Sequence, residues 1–124
     1  MRVCVGGLAF EVEASNVLND PVAELIVLLE ASIWPAWIWI WEEPGGYTVR
    51  AIGVGDGAIE VALWKEGDLH VGRHWPTRPP MAEARLSPLE LTALREHLEA
   101  WAIEHADAIG EHWSEADYVG RLRR

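Results

Sequence analysis

Five histidines, a cluster of three glycines, four serines and one pair of adjacent glutamates are the residues here whose types and spacing could do chemistry. His70 and His74 stand four apart, which on a helix would let both imidazoles reach one zinc ion. The residues from Leu69 to His74 read as a strand, however, where four steps span ~13 Å and the two rings cannot share a metal. His97 and His105 lie ~12 Å apart along a helix axis, and His105 and His112 ~10 Å apart. No metal site is therefore expected, and no cofactor.

The run Gly53-Val54-Gly55-Asp56-Gly57 has the composition of a phosphate-binding loop. Such loops lead from a strand into a helix whose N-terminus receives the anion. Here Ala58-Ile59-Glu60-Val61 continues as a strand, so the run reads as a hairpin turn. Ser15, Ser32, Ser87 and Ser114 fall in loops or at helix boundaries, and none occupies a nucleophile elbow. Cys4 is the only cysteine, which excludes an intrachain disulfide, and no His or Lys stands near it in sequence to activate it. No nucleophile is paired with a base, and the chain reads as non-enzymatic.

Glu42 and Glu43 are adjacent, so on a strand they point to opposite faces and make a poor general acid–base couple. They flank a turn together with Trp41 and Tyr47, and aromatic rings beside carboxylates suit a cationic group. Trp41, Glu42, Glu43 and Tyr47 are thus the first candidate contact with a partner. The second candidate is the sheet face that carries Arg50, His70 and His74.

The elements that must place these residues follow from pattern. With Gly6-Gly7 as a two-residue turn, residues 1–13 form a β-hairpin in which Val5 faces Leu8 and Val3 faces Phe10. Asp20 caps a helix over residues 20–32, with Pro21 at its first position, and its apolar residues run almost all round it. Residues 36–74 read as a meander: a strand of alternating Trp37, Ile38, Trp39, Ile40 and Trp41, a turn at residues 43–46, then Tyr47 to Val54, Ala58 to Lys65 and Leu69 to His74. Four of the eight tryptophans lie between Trp34 and Trp41. Residues 75–86 read as a proline-rich loop. Ser87-Pro88-Leu89-Glu90 is a capping box that opens a helix over residues 87–109, and residues 110–124 read as a tail frayed at Arg121 to Arg124.

Pairing around Asp56-Gly57 sets Ile52 against Val61 and Val49 against Trp64. One sheet face then collects Trp37, Trp39, Trp41, Tyr47, Val49, Ala51, Ala62 and Trp64, and the other Ile38, Ile40, Thr48, Arg50, Ile52, Val61 and Leu63. The first is expected to be the core. The fold class is a single α+β domain over residues 1–124. It has an antiparallel sheet of five to six strands, a long C-terminal helix, and helices packed on the tryptophan face.

Ten Lys and Arg against twenty Asp and Glu give a formal charge of −10. That sign repels phosphate backbones and anionic lipids, so neither nucleic acid nor membrane is an expected partner. Glu30, Ser32 and Pro35 interrupt the one apolar stretch that approaches a membrane span in hydropathy, and no signal-peptide pattern opens the chain, so a cytoplasmic location is expected. A sugar-stacking platform would need amide side chains for the hydroxyls, and the chain has only Asn16, Asn19 and no glutamine. The expected function is protein binding, with a basic partner favoured by charge and an immunity or antitoxin-like inhibitor as its specific form. Two alternatives stand beside it. One is a homodimer formed through the aliphatic sheet face, and the other a ligand pocket between sheet and helices.

Overall fold

The computed structural model describes residues 2–5, 8–11, 21–41, 46–66, 75–105 and 118–123. In chain order the elements are β1 (Arg2–Val5), β2 (Leu8–Glu11), α1 (Pro21–Glu30), β3 (Ala36–Trp41), β4 (Gly46–Gly55), β5 (Ala58–Glu66), β6 (Ala82–Leu86), α2 (Pro88–Glu104) and α3 (Tyr118–Leu122). The class is α+β. Among the described residues the main sheet has four strands in the order β3-β4-β5-β6, every neighbouring pair antiparallel. β1 and β2 pair in the register expected from the sequence, Val5 with Leu8 and Val3 with Phe10. They form a separate two-stranded ladder instead of extending the main sheet, and lie beside β6 and α2.

The helices cover the face of β4 that was expected, Tyr47, Val49 and Ala51, but β3 and β5 each present to them the side opposite to the expected one. β3 pairs with β4 so that Ile38 meets Val49 and Trp37 meets Arg50. β4 pairs with β5 so that Val49 meets Leu63 and Arg50 meets Ala62. The second ladder is displaced by one residue at a bulge between Gly53 and Gly55, where β4 advances two residues while β5 advances one. Gly55, Asp56 and Gly57 have φ of 94°, 56° and 76°, a left-handed run that a β-branched residue would not tolerate at bulge and turn. Side chains alternate with period two, so a shift of one residue carries a whole strand to the other face. Ile38, Ile40, Val49, Ala51, Val61 and Leu63 therefore form the helix-covered core, and Trp37, Trp39, Ala62 and Trp64 lie on the outer face. Of the aliphatic surface suggested for self-association, Ile38, Ile40, Val61 and Leu63 lie beneath the helices, while Ile52 lines a cleft on the outer face.

α1 contributes Val22, Leu25, Ile26 and Leu28 to this core, α2 Leu94, Leu98 and Ala102, and α3 Tyr118 and Leu122. The capping box at the start of α2 is complete: Ser87 Oγ accepts from Glu90 N at 3.2 Å, and Ser87 N donates to Glu90 Oε1 at 3.1 Å. The helix stops at Glu104, short of the expected residue 109. The His105 amide donates to the Trp101 carbonyl at 3.0 Å, and the His105 ring Nδ1 lies 2.9 Å from the same oxygen.

Two further expectations change. The loop expected over residues 75–86 ends as β6, because its prolines stop at Pro80 and Ala82 to Leu86 are free to pair with β5 from Leu63 to Ile59. The frayed tail is instead docked from Tyr118 to Arg123. Tyr118 and Leu122 are buried, while Arg121 pairs with Glu30 of α1 and Arg123 with Glu99 of α2. The expected strand from Leu69 to His74 and the expected helix end at Gly110 lie outside the described residues.

Removing a fully buried core side chain leaves a cavity, so Leu63→Ala should cost about 2–5 kcal/mol. Loss of the helix cap in Ser87→Ala should cost about 1 kcal/mol. Urea denaturation separates the two. A loss below 1 kcal/mol for Leu63→Ala would contradict the face assignment.

Candidate functional site

On the outer sheet face the ladders set Trp37, Arg50 and Ala62 in one row and Trp39, Thr48 and Trp64 in the next. Residues two apart on a strand share a face, so Trp37 and Trp39 stack at 6.4 Å between ring centroids. Trp64 reaches diagonally across the rows to stack on Trp37 at 5.7 Å with 28° between planes. Ala62 lies opposite Arg50 and is too small to fill the row. The guanidinium occupies that space, its Cζ 5.8 Å from the Trp37 centroid and 5.3 Å from that of Trp64.

A segment leaving Trp75 closes over one side of this cluster. Trp75 meets Trp39 edge-on at 5.7 Å, and Trp64 Nε1 donates to the Arg78 carbonyl at 2.8 Å. The Arg78 guanidinium donates to Lys65 O at 3.0 Å, and Met81 N to Leu63 O at 2.8 Å. Pro76, Pro79 and Pro80 bring no N–H into this strap, so it covers the rings with few donors left to satisfy. Trp39 and Trp64 are only 5% and 3% exposed although no helix among the described residues covers them.

Arg50 itself is held but not satisfied. Its Nε is buried and has no hydrogen-bond partner among the described residues. A buried donor without an acceptor costs about 1–3 kcal/mol, and two desolvated cation–π contacts return an amount of similar size. Beside it opens a cleft of about 210 Å³, lined by Arg50, Ile52, Glu60, Ala62, Glu83 and Arg85. Glu60 stands opposite Arg85 and Ala62 opposite Glu83 in the β5–β6 ladder, so charges of both signs rim the opening. The volume suits one side chain or chain end better than a whole small molecule, whose sites run ~300–1,000 Å³.

The two candidate sites read from sequence fare differently. Tyr47 packs against the helix-side core, Trp41 pairs with Gly46, and Glu42 and Glu43 lie outside the described residues. Arg50 lies at the centre of the outer-face cluster, and His70 and His74 lie outside the described residues. Sequence reasoning missed Trp37 and Trp64 as companions of Arg50. For Trp64 the available signal was Gly55 placed directly before the Asp56-Gly57 turn, a glycine suited to a bulge in the β4–β5 ladder.

Among the described residues no three His, Cys, Asp or Glu side chains converge as a metal site would require. No helix among them is long and apolar enough to cross a membrane. No protein-family model, curated protein or solved structure matches the chain.

The strap and the stacked rings predict that Trp39→Ala, though on the outer face, costs about 3–5 kcal/mol. Arg50→Leu removes the unpaired donor together with the cation–π contacts and should change stability by less than about 1 kcal/mol. Equilibrium denaturation of both variants provides the check. Equal large losses would mean that the Arg50 head group is paired within the fold.

Proposed function

We propose that this chain is a non-enzymatic protein-binding domain whose contact surface is the outer sheet face, anchored at Arg50. The observation that carries this reading is the buried, unpartnered Nε of Arg50 between Trp37 and Trp64. Buried donors almost always have acceptors in folded proteins, so an orphan beside an open cleft calls for one from outside. Tryptophan and arginine are also the side chains most enriched where binding energy concentrates, in desolvated pockets ringed by weaker contacts. Glu60, Glu83 and Arg85 supply such a ring here.

The formal charge of −10 acts at longer range than these contacts. It speeds encounter with a basic partner, and Arg50 then selects where a carbonyl or carboxylate of that partner seats. An inhibitor that caps a basic protein is the specific form of this reading.

The test is affinity capture from a lysate of the source organism, with the wild-type chain and Arg50→Leu side by side. A specific partner should be retained by the wild type and bind Arg50→Leu about tenfold or more weakly, the equivalent of one charge-assisted hydrogen bond. Its association rate should fall steeply as salt rises. Equal retention by both chains at matched thermal stability would remove the outer face as the contact surface.

A further inference from the structure

We propose that a second cavity, between α1, α2 and the β4–β5 turn, is a binding site for a small apolar carboxylate. It holds about 410 Å³, within the ~300–1,000 Å³ typical of small-molecule sites. It lies on the helix side of the sheet and shares no lining residue with the Arg50 cleft.

Its walls set the chemistry. Leu28 and Leu29 from α1, Ile59 from β5 and Leu91 from α2 make it apolar. Gly53, Gly55 and Gly57 form another wall, where backbone faces the space. Trp34 closes against that wall, so near that a Cβ at Gly53 would overlap its indole ring. Such walls accept an aliphatic or aromatic body and offer little to a sugar or a peptide backbone.

Charge selects the head group. Among the described residues Arg95 is the only charged one in the lining, in a chain with twice as many acidic as basic residues. It stands one helical turn beyond Leu91, on the same face of α2. Among the described residues Arg95 has no ion pair or hydrogen bond, so its guanidinium fork is available. That planar fork matches a carboxylate with two parallel hydrogen bonds. With no carboxylate among the described lining residues, a cation would meet repulsion from Arg95.

The experiment is calorimetric titration of the full chain with three naphthalene probes that differ in head group: 2-naphthoate, 2-naphthylmethanol and 2-naphthylmethylammonium. The naphthoate should bind one site most tightly and the ammonium most weakly. Arg95→Gln should lower naphthoate affinity about tenfold or more and leave the alcohol unchanged, with an unaltered melting temperature showing that the fold is kept. Ala31→Phe, which fills the cavity from the chain segment after α1, should remove binding of all three. Arg50→Leu should change none of them, which separates this site from the outer face. The proposal is overturned if the wild type binds no naphthoate, if the three probes bind equally, or if naphthoate affinity survives Arg95→Gln.

Discussion

Everything in this molecule depends on the register of β4 against its two neighbours. β4 meets β3 with Trp37 opposite Arg50, and it meets β5 with Arg50 opposite Ala62, after the bulge between Gly53 and Gly55 has taken up one residue. Without that extra residue β5 would turn over, taking Val61 and Leu63 out of the core and Trp64 into it. With it, three strands deliver aliphatics to the helices, while β3 and β5 present indoles to the other side and β4 presents Thr48 and Arg50 between them. The helices then have a dense surface to bury, from Leu25 on α1 to Leu98 on α2, and α3 completes the cover with Tyr118 and Leu122.

The same register leaves the outer face with an unusual problem. Large aromatic rings on a sheet surface would expose a wide apolar patch. Two devices reduce it. The strap from Trp75 to Met81 covers Trp39 and Trp64 and gives the Trp64 N–H an acceptor at the Arg78 carbonyl. Arg50 fills the space above Ala62 and lies against both Trp37 and Trp64. Its cation gains from the ring faces what its Nε loses by leaving water, so the arrangement is nearly neutral for folding. A group that contributes little to stability and lacks an acceptor is more informative about binding than about the fold.

Helix placement has its own consequence on the other side of the sheet. α1 ends at Glu30 and α2 begins at Pro88, close to the β4–β5 turn, where Gly57 meets the Pro88 ring at 3.2 Å from an ideal Cβ. The glycines that permit the left-handed bulge and turn also have no side chains to fill the corner between the two helices. The cavity beside Arg95 is therefore a by-product of the feature that sets the sheet register.

What the sequence by itself determined is what short-range chemistry controls. The Gly6-Gly7 pair is enough to read the pairing of Val3 with Phe10 from the sequence, Asp56-Gly57 dictates a hairpin, and Ser87 with Glu90 dictates where α2 begins. The alternation of Trp and Ile in β3 determined that two faces would each need cover. Which face received the helices was decided only in the tertiary structure, because a strand with apolar side chains on both sides reads the same in either orientation. Arg50 was legible as a candidate, but its companions Trp37 and Trp64 were not, since a one-residue offset reverses every neighbour at once. β6 and α3 likewise form through what they meet: the free edge of β5 for one, and for the other the core around Tyr118 and Leu122 together with ion pairs to Glu30 and Glu99. Local propensity is weak in both segments, and long-range partners supply the hydrogen bonds and burial that make them regular.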